Sequence, residues 1–229
     1  KEKLNTIERG PIYRSLFDNG ITYLFHHAKD HKMASVSLSF LAGSYFESKK
    51  EPGLAHLVEH LAFKESTSKL IKEMESLGAE LNAYTTKELV SFEMSCYCDD
   101  LEFLLPLFIK KFCSLDFTKE QLKKEIKVIE HELKEDLDNH EVTGVEEFFS
   151  KSFSFSYGHS IGGNYKELRD FKSEDVRSYY NKFFTSERMI LTIVSGKNKR
   201  YQSLIKKLFN AHTLSINKSV FRFNDSKKI

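Results

Sequence analysis

Asn19-Gly20 falls between two short runs in which apolar and polar residues alternate, 13–17 and 21–27. Asn and Gly both accept the positive φ of a tight two-residue turn, so this pair predicts a β-hairpin. A chain that opens on a hairpin starts an antiparallel sheet, because parallel neighbours need a long crossover. Alternation returns in three further places. Val36, Leu38 and Phe40 alternate within 34–42. Residues 80–85 and 89–98 follow, the second with Val90, Phe92, Met94, Cys96 and Cys98 in step. A last strand-like run covers 188–195, ended by Gly196.

Helical spacing separates these strands. Leu54, Leu57, Val58, Leu61 and Ala62 recur at helical intervals after Pro52, a residue suited to a first helical turn. A short helix is predicted from 67 to 77, stopped by Gly78. Residues 101–113 read as helical despite Pro106. Thr118 with Gln121 forms a capping-box signature and starts a long helix running to about 140. Residues 142–153 continue as helix, and 156–164, with three glycines, read as a loop. Ser173 is the expected cap of a helix to about 184, and 198–211 form the last one. Strands and helices in mixed order, without a repeated βαβ unit, predict an α+β fold: a mostly antiparallel sheet covered by helices. The whole of 1–229 reads as one domain, and the pattern fades after about 213.

Bulk properties remove some function classes. With 229 residues and 40% hydrophobic content the chain can bury a substantial core. Its formal net charge is +2, without the basic excess that grips nucleic acid. No apolar run is long enough to span a membrane. No signal-peptide pattern opens the sequence as given. The cysteines are Cys96, Cys98 and Cys113, an odd set without C-x-x-C spacing. Buried free thiols are therefore expected, and with the missing signal they favour the cytoplasm without fixing the address.

His56-Leu57-Val58-Glu59-His60 is an H-x-x-E-H arrangement. On a helix, positions i and i+4 lie about 40° apart around the axis, so both imidazoles can point at one metal ion. Glu59 lies one turn from His56 and next to His60, where it reaches a water at the open coordination position. A catalytic site needs a third protein ligand. The helix after Thr118 offers Glu125, Glu130, His131 and Glu132. Glu125 and Glu132 are two turns apart and share a face, which suits a ligand and a supporting carboxylate. The residues alone do not rank the four.

Several stretches together resemble the pitrilysin/insulinase family of inverzincin metallopeptidases, in its mitochondrial-processing-peptidase-like branch. They are Leu16-Phe17-Asp18-Asn19-Gly20-Ile21, Ala42-Gly43-Ser44 with Glu47, and Gly53-Leu54-Ala55-His56 onward through Leu61-Ala62-Phe63-Lys64. The run Leu77-Gly78-Ala79-Glu80-Leu81-Asn82-Ala83-Tyr84-Thr85, the segment 125–132, and 173–196 add to the likeness. The resemblance implies a metallopeptidase half-domain that hydrolyses extended peptides. It implies His56, His60 and Glu132 as zinc (Zn2+) ligands, Glu59 as general base, and Glu125 as the supporting carboxylate. Phe63 would line the pocket beyond the cleaved bond, or else belong to the core. Asn82 and Ala83 would hold substrate backbone, as an added strand is held at a sheet edge. Lys64-Glu65-Ser66 departs from the family's Lys-Gly-Thr.

Family members work as paired halves, each built of two domains of about this length. The resemblance therefore implies a second peptidase-family domain as partner, on another chain or another copy. Two other readings stand beside the peptidase. One is a non-catalytic peptide-binding or assembly subunit. The other is a structural zinc protein, in which four protein ligands would close the metal's coordination.

Overall fold

The computed structural model describes residues 12–64 and 69–211. The tail after 213, the expected helix start at Thr67 and the Glu65-Ser66 departure lie outside them. Among the described residues six strands form one sheet: β1 (Ile12–Leu16), β2 (Thr22–His27), β3 (Met33–Phe40), β4 (Glu80–Thr85), β5 (Val90–Tyr97) and β6 (Met189–Ser195). Their order is β1-β2-β6-β3-β5-β4. The hairpin at Asn19-Gly20 pairs β1 with β2 as expected, but its loop is three residues, 18–20, closed by the Phe17 amide on the Ile21 carbonyl, and of the pair only Gly20 takes a positive φ, 92°. The sheet is mostly antiparallel, but β2 and β6 run parallel, Phe25 opposite Ile193. Alternation in β6 marks a strand and carries no direction, so this pairing was not foreseen.

Nine helices were found among the described residues. They are α1 (Leu54–Lys64), α2 (Lys69–Ser76), α3 (Leu101–Phe112), α4 (Lys119–Asp138), α5 (His140–Ser152), α6 (Phe155–Gly158), α7 (Tyr165–Leu168), α8 (Ser173–Phe183) and α9 (Gln202–Ala211). Thr118 caps α4 through the predicted box with Gln121. Asn139 then accepts from the Glu141 and Val142 amides and starts α5, which divides the long helical stretch in two. Two expectations need correction. The segment 156–164 is only partly loop, because Phe155–Gly158 closes a helical turn. Ser173 does not cap α8: it is the first helical residue, and the Lys172 amide donates to the Asp175 carboxylate instead.

The core lies on one face of the sheet. Ala34, Val36, Leu38 and Phe40 of β3 are buried, while Ser35, Ser37 and Ser39 between them point the other way. α1 packs on β4 and β5 and against α3, α4 and α8. Its Leu54, Leu57, Val58 and Leu61 are fully enclosed. Each contributes about 1.5–3 kcal/mol of burial, which holds this helix against the sheet. Cys96 and Cys98 are buried free thiols, as expected, and burial pushes the Cys96 thiol up to about 12. A thiol so held against ionisation is poorly suited to bind metal.

A candidate metal centre on helix α1

α1 starts where Gly53 turns the chain at φ 91°. Glu47, buried in the preceding loop, accepts the Gly53 amide at 2.9 Å and the Ala55 amide at 2.7 Å. Orphan donors of the first turn are thus satisfied by a negative charge at the positive end of the helix dipole. The apolar face of α1 fixes its rotation, and this leaves His56, Glu59 and His60 on the side facing α4.

The ligating atoms of those three residues lie within 4.8 Å of one another. His60 Nε2 is 3.0 Å from His56 Nε2. α4 adds Glu132, whose Oε2 is 3.2 Å from His60 Nε2 and 4.0 Å from His56 Nε2. Zinc bonds of about 2.0–2.1 Å in a tetrahedron place ligand atoms about 3.3 Å apart. The observed triangle brackets that value. A single hydrogen bond would use one pair of these atoms, whereas one cation uses all three. The donor set, two imidazoles and a carboxylate, suits zinc.

Glu125, two turns before Glu132 on the same face of α4, is buried, and its Oε2 lies 3.3 Å from His60 Nδ1. An ionised carboxylate only accepts, so the His60 proton belongs on Nδ1 and the Nε2 lone pair faces the centre. Glu59 Oε2 is 3.8 Å from His56 Nε2 and accepts the Thr85 hydroxyl at 3.3 Å. Thr85 was not singled out from sequence. It comes from the end of β4, and only the packing of that strand beside α1 brings it here.

The other α4 residues separate cleanly. Glu130 is turned away and grips Arg169 with both oxygens, and that hydrogen-bonded pairing holds its carboxyl below the usual range. His131 is exposed. Phe63 is half-buried and stacks on Phe112, which in turn stacks on Phe92, so part of its ring belongs to the core. Asn82 and Ala83 lie on β4, an edge strand of the described sheet. Asn82 is exposed on the far face and Ala83 is half-buried on the helix face, so what they share toward a neighbour is main chain.

Comparison with known proteins settles the lineage. Residues 22–158 match the family described as insulinase, peptidase family M16. The chain belongs to that family. A cytochrome b-c1 complex subunit 1 from Bos taurus is 30% identical over 193 residues, 81% of this chain and 40% of that protein. An uncharacterized zinc protease from Rickettsia felis is 26% identical over 203 residues, 86% of this chain and 49% of that protein. This M16 chain thus spans half or less of the length of these relatives. The fold of the periplasmic protease PqqL from Escherichia coli superposes with a TM-score of 0.80 at 23% identity, covering 96% of this chain and 26% of that one. A peptidase M16 inactive domain from Pseudomonas fluorescens gives 0.76 at 17%, covering 87% of this chain and 49% of that one. At such identities these structures establish the fold alone.

Proposed function

We propose that this M16 chain is the metal-bearing part of a zinc endopeptidase acting on extended or unstructured peptides. The observation that carries the reading is the convergence of His56 Nε2, His60 Nε2 and Glu132 Oε2, with Glu59 Oε2 3.8 Å from His56 Nε2. A bound zinc ion polarises a peptide carbonyl and makes water a stronger acid. Glu59 accepts the proton of the attacking water and returns it to the leaving amine. Thr85 orients the Glu59 carboxylate, and Glu125 fixes the His60 tautomer. β4, at the edge of the described sheet, offers main-chain groups to an extended peptide, with Asn82 and Ala83 in its path. Phe63 borders the site one turn beyond Glu59 on α1.

The named relatives are about twice as long or longer. A second family domain therefore completes the enzyme in this reading. The expected result is stoichiometric zinc and cleavage of an unstructured peptide, with cleavage lost in Glu59→Gln. Full cleavage in that variant, or no zinc uptake by the purified chain, would sink the proposal. The kinship to a cytochrome b-c1 complex subunit favours a second reading, a non-catalytic subunit. It predicts no cleavage even with zinc and a partner domain supplied.

A further inference from the structure

Glu47 does more than cap α1. Its Oε2 also lies 2.8 Å from His159 Nε2, in a contact that leaves the Glu47 side chain without solvent exposure. The other ring nitrogen, His159 Nδ1, lies 2.5 Å from the Phe155 carbonyl. The Phe155 carbonyl accepts; burial pushes the Glu47 carboxyl up, while the His159 contact and the Ala55 and Gly53 amides favour its ionised, accepting form. Between two acceptors an imidazole donates from both nitrogens only as imidazolium. The His159 ring also stacks flat on Phe155, centroids 4.2 Å apart and planes 5° from parallel. Its backbone carbonyl takes the Lys87 ammonium from the turn between β4 and β5, at 2.5 Å. One histidine thus ties together the start of α1, the turn of α6 and the β4–β5 turn.

Gly162 and Gly163, three and four residues after His159, stand beside the first turn of α1. A Cβ on Gly162 would stand 3.8 Å from His56 Nδ1 and 2.7 Å from Leu133 Cδ2. Gly163, at φ 74°, lies so close to Pro52 and Gly53 that a Cβ there would meet the Pro52 carbonyl oxygen at 2.4 Å. Backbone against backbone at this distance leaves little play. The Gly162 backbone therefore bounds the space on the Nδ1 side of the His56 ring.

We propose that the Glu47–His159 pair is the positioning element of the metal centre, pinning residues 159–163 to the first turn of α1 and so aiming His56. His159 acts through Glu47 and is a positioning residue. The proposal rests on the zinc reading above for its consequence, and on the pair's own geometry for its existence. Around the pair stand Lys87 with Glu146 behind it, and Tyr179 of α8 on the Glu47 side. Lys87 works against the imidazolium and Glu47 supports it.

The test uses the full chain. Nitrogen-15 NMR of the histidine rings, assigned with His159→Gln, is expected to show both His159 nitrogens protonated at neutral pH. Zinc affinity, measured by competition with a chromophoric chelator, is expected to fall about tenfold in His159→Ala with the fold retained by circular dichroism. His159→Gln keeps a donor toward Glu47 and is expected to recover part of that loss. A bare nitrogen on the wild-type ring overturns the proposal, as does zinc affinity within twofold of wild type in folded His159→Ala. A wild-type chain that takes no zinc overturns the metal reading instead, and the ring spectrum then decides the pair by itself.

Discussion

Glu125 Oε2 lies 3.3 Å from His60 Nδ1 across 65 positions of sequence, and both side chains are buried. Replacing Glu125 with Ala leaves the His60 N–H without this acceptor and frees the ring to turn. Zinc affinity is expected to weaken about 10- to 100-fold. Chelator competition measures it, and an unchanged affinity would remove Glu125 from the centre.

Glu59→Gln is expected to lower peptide cleavage by about 10²- to 10⁴-fold, the usual contribution of a general base. Zinc content should stay at wild type, because the three converging donors remain. Metal analysis beside single-turnover cleavage separates the two quantities. Thr85→Val should cost less, about tenfold in kcat with KM little changed, since it removes one hydrogen bond to a charged group.

Two glycines should respond to Ala in opposite directions. Gly163→Ala forces a Cβ to 2.4 Å from the Pro52 oxygen at φ 74° and should destabilise by about 2 kcal/mol or more. Gly144, inside α5 with open space around it, should gain about 1 kcal/mol on the same change. Urea midpoints of the two variants test the pair of signs.

Stability should also carry a signature of His159. Burial draws its pKa down, but the hydrogen bonds to Glu47 and the Phe155 carbonyl, with the Glu47 charge, outweigh that and leave it raised. A raised folded pKa means the contribution is complete below the unfolded value of about 6.5 and is lost as pH rises through the folded pKa. Thermal midpoints of the wild type should therefore decline relative to His159→Gln as pH rises above about 6.5. Parallel curves for the two proteins would contradict the assignment.

Local patterns determined a good deal. Asn19-Gly20, the alternation of β3 and β5, the Thr118–Gln121 box and the apolar stripe of α1 each rest on contacts within a few residues, and each was legible. So was the pairing of His56 with His60, because one helical turn relates them. The H-x-x-E-H run by itself offered two ligands and four candidates for a third. Tertiary structure separated those four: Glu132 and Glu125 face α1, Glu130 turns to Arg169, and His131 faces solvent. The parallel run of β6 beside β2, the Thr85 hydroxyl on Glu59 and the Glu47–His159 contact likewise required the folded chain. Periodicity reports which face of an element is buried. It does not report which distant element comes to cover that face, and the candidate metal centre lies where α1, α4 and β4 meet.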